Sequence, residues 1–403
     1  MFKPTAALET KGALYIVFLA MIAAVPATAT DMYLAAMPTI AVHWGVADSR
    51  VGLSLVLWFV AFSMFLLVCG PLSDRYGRRP VLRAGLTLFI VATFACALAQ
   101  NVWQLIAFRV LQGIGAAGPS SMAMAICRDR YDGLQRKRAL AYIGIILTVA
   151  PAVAPTVGAW LLAWFHWRAI FLVQGVLGIA ALLVSLGYRE TAAERASGGF
   201  VQMAGRYRQL LQNRPYFLST AAMGLILGPF YGFIAFSSIV YIRIFGLSER
   251  VFGLLFGLNA LMSMAGAFAC TQVMKRFSDT VLLGGCLVGC ALGGAGILML
   301  GHWHYLAFAV SMCTITFFCG MSRPLSNHVI LQQVDRDIGS ASSFLVFYQF
   351  MVGAVCMRIV TMDWAYPIPV FGLLALLLPA SVLVIWPSLL RMLSMPAPTA
   401  VAS

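Results

Sequence analysis

The sequence is poor in charge, and poorest in negative charge. Of its 403 residues, 10% are charged and only 13 are Asp or Glu, whereas 62% are apolar. Soluble domains carry about 25% charged and roughly 45–50% apolar residues. This imbalance excludes a soluble enzyme, a disordered chain and an ordinary nucleic-acid-binding protein, although the formal net charge is +14.

The sequence also lacks metal-ligand and disulfide patterns. Its nine cysteines show no CxxC spacing and lie in apolar segments, where a thiol behaves as a small hydrophobic group. We therefore expect no disulfide framework, no metal site and no cofactor. The five histidines are scattered over predicted loop regions. That scatter disfavours a membrane-embedded enzyme, which would gather such side chains at one interface.

Long apolar runs dominate the chain instead. A membrane-spanning helix needs about 20 predominantly apolar residues, and lipid admits only helices or closed barrels. The alternating pattern of barrel strands is absent. The sequence predicts an all-α membrane protein with twelve transmembrane helices, at about 13–36, 50–70, 80–99, 103–126, 139–164, 169–188, 216–240, 250–273, 281–300, 304–325, 338–362 and 366–390.

Basic residues predict the orientation of these spans. With a cytoplasmic N-terminus, most of the 27 lysines and arginines fall on the cytoplasmic side, among them Arg323 near the end of the tenth span. The outer loops then hold Arg50, Arg168, Arg243 and Arg250. By the positive-inside rule, both termini are expected in the cytoplasm.

The longest polar stretch divides the spans into equal sets. We predict an N-terminal six-helix bundle (1–188), a cytoplasmic linker (189–215) and a C-terminal six-helix bundle (216–403). This plan is typical of transporters built from repeats, with a binding site between the halves. Glycines recur within several spans, where they allow helix backbones to approach closely.

One acidic residue departs from the pattern. The other acids fall in predicted loops or at span ends, whereas Asp31 lies in the apolar run VPATATDMYLAAM. A charge at the centre of a span costs about 2.5–3.5 kcal/mol on insertion scales, so such a group is paired, faces water or becomes neutral. We predict that Asp31 loads and releases a proton. The alternative is that Asp31 lies at the outer mouth of the first span and is simply hydrated.

Arg109 is the complementary residue. It lies a short way into the fourth span from the outer side. Because the first span runs outward and the fourth starts outside, the two side chains are expected at similar depth. Arginine keeps its charge, so Arg109 can tune a carboxylate or orient a ligand but cannot carry the proton. Gln112, one turn on, adds another polar side chain to the span.

The segment GPLSDRYGRRP (70–80) joins the second and third spans. Gly70 and Gly77 permit a tight reversal. Its charged residues are Asp74, Arg75, Arg78 and Arg79. Asp74 offers either a switchable ion pair or a partner for a helix N-terminus, and the alternative is a basic loop that only fixes orientation.

These motifs resemble a known family. GPLSDRYGRRPVL (70–82) is similar to the loop signature of the major facilitator superfamily, and RVLQGIGAAG (109–118) to its fourth-helix motif. APAVAPTVGAW (150–160) resembles the fifth-helix motif of antiporters, with alanines in place of several glycines. The bicyclomycin/chloramphenicol-resistance branch of drug:proton antiporters is resembled by TDMYL (30–34), AICRDRY (125–131) and HWRAIF (166–171).

The resemblance implies roles for individual residues. Asp31 would exchange protons and face the substrate cavity, with Arg109 coupled to it. A latch that stabilises the outward-facing state would comprise Gly70, Asp74, Arg75, Gly77, Arg78 and Arg79. A kinked fifth helix would be shaped by Pro151, Pro155 and Gly158. We expect the cavity to be lined by Asp31, Tyr33, Phe59, Arg109, Gln112 and Phe236, with Phe62, Phe230 and Phe233 as further aromatic candidates.

The function expected from the resemblance is proton-coupled efflux by alternating access. The substrate would be a small hydrophobic, neutral or weakly cationic drug-like molecule of chloramphenicol or bicyclomycin type. The chain would act as a monomer in the bacterial inner membrane, in contact with lipid and protons and without nucleic acid. The same fold could instead export or import an endogenous metabolite or siderophore, and a membrane-embedded enzyme is a more distant alternative.

Overall fold

The computed structural model describes residues 6–188, 190–191, 200–334 and 338–393, and this part of the chain contains helices and no strand. Twelve segments are long and apolar enough to cross a membrane, which confirms the predicted architecture. The first seven are Tyr15–Leu34, Asp48–Tyr76, Arg78–Leu98, Val102–Arg130, Gly133–Trp164, Arg168–Leu186 and Arg214–Ile244. The other five are Glu249–Val273, Asp279–Leu300, Tyr305–Leu331, Ile338–Val360 and Pro367–Met392.

Fifteen α-helices form these spans and two short surface elements within the described residues. In chain order they are α1 (Ala6–Leu34), α2 (Met37–Trp44), α3 (Asp48–Tyr76), α4 (Arg78–Leu98), α5 (Val102–Arg130), α6 (Gly133–Trp164), α7 (Arg168–Leu186), α8 (Phe200–Gln212), α9 (Arg214–Ile226), α10 (Gly228–Ser238), α11 (Glu249–Val273), α12 (Asp279–Leu300), α13 (Tyr305–Leu331), α14 (Ile338–Val360) and α15 (Pro367–Leu393). The seventh span is composite, since α9, α10 and a π-helical turn (Ile239–Ile244) follow one another.

Local sequence explains where several helices begin and end. Gly45 ends α2 in the left-handed region, with φ 59°, which glycine adopts without a Cβ penalty. Gly77, with φ 101°, is the one residue between α3 and α4. The Asn101 side chain accepts a hydrogen bond from the Gln104 amide at 3.0 Å and so caps the first turn of α5.

The chain divides into two compact units. The first contains Met1–Gly198 together with Ser237–Gly257, and the second contains Gly199–Phe236 and Leu258–Ser403. Within the predicted linker, Arg189 and residues 192–199 lie outside the described residues, and α8 begins at Phe200. The predicted bundles 1–188 and 216–403 stay a prediction.

The tenth span is longer than the sequence indicated. The predicted span ends near residue 325, whereas α13 continues to Leu331. Arg323 therefore lies inside α13 and not near its end, and α13 continues through Pro324.

Glycines allow neighbouring helices to touch backbone to backbone, as the sequence predicted. A Cβ built on Gly118 of α5 would lie 3.0 Å from Cα of Gly85 on α4. A Cβ on Gly293 of α12 would lie 2.9 Å from the Ser311 carbonyl oxygen on α13. At Gly285, by contrast, a Cβ would meet no atom within 4 Å. Small residues are therefore required at some predicted positions and tolerated at others.

Replacement of Gly118 by valine is expected to destabilise the first unit by about 1–3 kcal/mol, because the added methyl groups must push α4 away from α5. The measurement is the thermal unfolding of purified protein in detergent. Gly285→Val is the matched control, since its side chain enters open space. Equal unfolding temperatures for the two variants would contradict the close crossing.

Candidate functional site

Asp31 is buried inside the first unit. It lies near the end of α1, a helix that continues through Pro26, and only 5% of the residue is exposed. A hydrated position at the outer mouth of the span was the alternative that the sequence left open, and it does not fit a residue that is only 5% exposed. The Thr30 hydroxyl, which lies 3.0 Å from Asp31 Oδ1, donates to that oxygen or to the Pro26 carbonyl at 2.9 Å.

Arg109 contacts the helix that carries Asp31, two residues before that acid. Its residue is fully buried, and NH1 donates to the Ala29 carbonyl on α1 at 2.9 Å and to Gln112 Oε1. The two charged groups do not form a direct ion pair in the described structure. Arg109 is therefore anchored to the backbone beside Asp31 and leaves the carboxyl group unpaired by charge.

Aromatic faces complete the surroundings of Arg109. The guanidinium carbon lies 4.5 Å from the centre of the Tyr33 ring and 5.6 Å from that of Trp58. Its Nε and NH2 have no hydrogen-bond partner among the described residues. Cation–π attraction strengthens when the cation is desolvated, so the two rings replace part of the lost hydration.

A chain of amides holds Gln112 in place. Gln112 Nε2 donates to Thr93 Oγ1 at 2.8 Å and to Gln174 Oε1 at 3.1 Å. Gln174 Nε2 in turn donates to the Thr28 carbonyl at 3.0 Å. These bonds connect α5 to α4, α7 and α1, so four spans fix the orientation of the amide that accepts from Arg109.

Of the other predicted cavity residues, Tyr33 and Phe59 belong to the aromatic surroundings of Arg109, and Phe236 does not. Tyr33 is fully buried, and its hydroxyl lies 2.8 Å from Ser54 Oγ on α3. Phe59 is 4% exposed, with its ring centre 5.4 Å from that of Trp58. Phe236 belongs to the second unit, where its ring packs 5.4 Å from that of Phe371. Their substrate-lining role stays a prediction.

The fifth-helix residues bring α6 against Asp31. α6 runs from Gly133 to Trp164 through Pro151 and Pro155. A Cβ on Gly158 would collide with the carbonyl oxygen of Met32, the residue after Asp31. The sequence predicted the role of Gly158 in shaping the helix but not its partner.

The segment 70–80 forms the predicted ion pair, with one acid that the sequence reasoning missed. Arg78 NH1 donates to Asp74 Oδ1 at 2.6 Å, and Arg78 Nε donates to Asp129 Oδ2 at 2.9 Å. Asp129 belongs to the AICRDRY segment, whose resemblance alone signalled it. One half-buried guanidinium thus joins the ends of α3, α4 and α5.

The helix-terminus role that the sequence offered for Asp74 is taken by Glu190. Its carboxylate accepts hydrogen bonds from the backbone amides of Arg78 at 2.9 Å and Arg79 at 3.0 Å, at the start of α4. A carboxylate is favoured there by the helix dipole. Glu190 lies 112 positions from Arg78, so no local pattern could have found it.

A tyrosine lies beside this ion-pair network. Burial raises the pKa of Tyr188 to about 12, so its phenol is neutral at physiological pH. Its hydroxyl lies 2.6 Å from Thr191 Oγ1. Gly70 and Arg75 lie inside α3, so the reversal predicted at Gly70 and Gly77 occurs at Gly77 alone. Arg75 forms no ion pair with another described residue.

Two of the histidines expected to be scattered come together. The His43 and His166 ring centres are 5.1 Å apart. Burial, followed by the charges of Arg168 and His43, lowers the pKa of His166. Among the described residues no group of three or more His, Cys, Asp or Glu is placed to hold a metal ion.

Asp129→Asn is expected to lower the unfolding free energy by about 1–2 kcal/mol, because it removes one charged acceptor of a half-buried arginine. Thermal or urea unfolding of the purified protein measures this loss. Asp132→Asn is the control, since Asp132 is 93% exposed where it pairs with Arg136, and its expected change is within about 0.5 kcal/mol. Similar losses in both variants would refute the importance of the Asp129 contact.

Comparison with known proteins supports the resemblance. The chain is 28% identical over 346 residues (84% of this chain, 86% of the relative) to the MFS-type transporter YdgK of Bacillus subtilis strain 168. It is 26% identical over 368 residues (88% and 91%) to a bicyclomycin resistance protein homolog of Haemophilus influenzae. It is also 28% identical over 292 residues (72% and 72%) to the multidrug resistance protein MdtL of Salmonella paratyphi C.

A solved structure shares the fold of this chain, and a family model matches its sequence. A crystal structure of the peptide transporter POT in complex with sulfate superposes with a TM-score of 0.74 at 15% identity, covering 95% of each chain. The family model of the Major Facilitator Superfamily matches residues 19–357. The chain, a multi-pass membrane transporter and not an enzyme, therefore belongs to the Major Facilitator Superfamily.

Proposed function

We propose that this transporter exports small hydrophobic drug-like molecules, neutral or weakly cationic, across the bacterial inner membrane in exchange for protons. Asp31 carries the proton. The observation that carries the proposal is the burial of the Asp31 carboxyl group in a spanning helix, without a counter-ion among the described residues and beside an arginine anchored to the same helix.

The surroundings of Asp31 suit reversible protonation. Desolvation favours the neutral form of a carboxyl group, and a nearby cation favours the charged form. Arg109 is fixed to the Ala29 carbonyl, close to Asp31 but not paired with it. A change in hydration of this site therefore shifts the proton equilibrium, while the arginine limits how far the neutral form is favoured.

The proton gradient supplies the driving force. Moving one charge across 100 mV is worth about 2.3 kcal/mol, to which a pH gradient adds. In the proposed cycle the substrate leaves on the outer side when Asp31 takes up a proton. Return of the empty carrier to the inward-facing state releases that proton into the cytoplasm. One buried acid implies one proton for each cycle.

The remaining assignments follow the same scheme. Six-helix bundles at 1–188 and 216–403 alternate access, both termini lie in the cytoplasm, and the chain acts as a monomer. The Arg78 network with Asp74 and Asp129 latches the outward-facing state. Tyr33, Phe59, Gln112 and Phe236 contact substrate, and the prolines of α6 permit its bending.

The names of two relatives support a drug as cargo, because they describe resistance to bicyclomycin and to multiple drugs. Transport of an endogenous metabolite or siderophore is the competing proposal. A drug-susceptibility panel in a pump-deficient bacterium, with and without a protonophore, separates the two. Protonophore-sensitive resistance supports drug efflux, and the absence of any phenotype favours a metabolite.

Asp31→Asn is expected to abolish proton-driven efflux, because an amide cannot exchange the proton. The measurement is drug efflux from energised cells, with membrane expression verified. The matched control is Asp363→Asn, which replaces an exposed acid between α14 and α15 and is expected to keep full activity. Full resistance in cells carrying Asp31→Asn would refute the assigned role.

Arg109→Ala is expected to reduce efflux about tenfold or more and to change its dependence on external pH, since the cation that limits Asp31 protonation is lost. Arg109→Lys restores part of the activity, because lysine supplies the charge without the planar guanidinium that lies over the Tyr33 and Trp58 rings. Transport assayed between pH 5.5 and 8 makes the comparison, with exposed Arg50→Ala as the control. An unchanged pH profile would contradict the coupling.

A further inference from the structure

A second cation within a span, Arg323, lies in the second unit, outside the proton site, and is partly buried. Arg323 NH2 donates to the Tyr231 hydroxyl at 2.9 Å. The guanidinium carbon is 5.3 Å from the centre of the Phe230 ring and 5.9 Å from that of Tyr231. No carboxylate of the described residues forms an ion pair with Arg323. Its positive charge is stabilised instead by two aromatic rings and one hydroxyl group.

The depth of this cation is unusual for an arginine. Arg323 lies about 12 Å before the end of α13 at 1.5 Å per residue, within reach of the interface for a side chain that extends toward water. Its guanidinium instead contacts Tyr231, near the middle of the seventh span Arg214–Ile244. The guanidinium therefore lies toward the middle of the seventh span and not toward the end of α13.

Residues of α10, α13 and α14 surround the Arg323 guanidinium and its tyrosine partner. Tyr231 is 4% exposed, and its ring centre lies 5.5 Å from Phe230 and 5.3 Å from Phe350 on α14. Gly353, one turn after Phe350, admits the tyrosine ring, since a Cβ there would lie 2.7 Å from it. The tyrosine is thus locked in place and presents a fixed hydroxyl to Arg323.

The residues that surround Tyr231 are only partly buried. Arg323, Phe230 and Phe350 are each intermediate in exposure. A charged side chain in a span faces the bundle interior or a water-filled cavity, because exposure to lipid is costly. A guanidinium between aromatic faces binds hydrogen-bond acceptors on planar groups, to which it offers its remaining N–H donors.

We infer that Arg323, Phe230 and Phe350, arranged around Tyr231, form a second substrate-binding site for aromatic molecules that carry a hydrogen-bond-accepting group, such as nitro, carbonyl or carboxylate. The inference rests on the proposed efflux function and narrows its substrate class. The site places the acceptor on the guanidinium and the aromatic ring against the phenylalanines. A permanent cation without acceptors gains nothing from Arg323 and is repelled by it.

Equilibrium binding to the purified full-length protein tests the site. The probes are chloramphenicol, a neutral aryl nitro compound, and ethidium, a permanent cation. Arg323→Met is expected to weaken chloramphenicol binding about tenfold, the value of one hydrogen bond to a charged group. Arg323→Lys weakens it less, ethidium binding is unchanged or tighter, and exposed Arg276→Met leaves both affinities as in the wild type.

Tyr231→Phe keeps the fold testable if the arginine variants fail to assemble, because it removes only the hydroxyl that positions the guanidinium. It is expected to weaken chloramphenicol binding alone, by a few-fold. Equal losses for both probes, no loss for either, or a wild-type protein that binds no chloramphenicol would each overturn the inference. A variant that loses chloramphenicol binding but keeps proton-dependent efflux of ethidium supports the inference. Failure of the Asp31 experiment would overturn only the proton-coupled function.

Discussion

The penalty for removing polar groups from water inside hydrocarbon is the constraint on which this structure depends. Helices satisfy the backbone, and each buried side chain must then find its own partners. Around Arg109 the solution is a relay of amides and hydroxyls drawn from four spans, through Gln112, Thr93 and Gln174. The first unit is therefore held together at its centre by the same bonds that orient the arginine.

Two arginines within spans, the fully buried Arg109 and the partly buried Arg323, share one solution to this constraint. Arg109 is covered by the rings of Tyr33 and Trp58, and Arg323 by those of Phe230 and Tyr231. In neither case does a described carboxylate neutralise the guanidinium. An aromatic face stabilises a cation without cancelling its field, so each charge remains able to act on a proton or on an acceptor that enters the membrane interior.

Sequence alone predicted the twelve helices and the membrane-buried acid, because apolar run length and the rarity of intramembrane charge are local properties. The motif at 70–80 likewise suggested an ion pair for Asp74, but not that Arg78 is the arginine that forms it. Sequence alone did not predict partners that are distant in the chain, among them Asp129 and Glu190, because only the folded helix ends bring them to Arg78. The role of Arg323 was missed for a different reason, because the predicted tenth span ends near residue 325 whereas α13 continues to Leu331.

The crossing at Gly158 has a mechanical consequence. The backbone of α6 rests directly on the Met32 peptide, one residue beyond the acid. Since no side chain cushions that contact, rotation or bending of α6 cannot be absorbed by rotamer changes and must displace the adjoining turn of α1. Movement of α6 therefore changes the surroundings of the Asp31 carboxyl group through the backbone of α1.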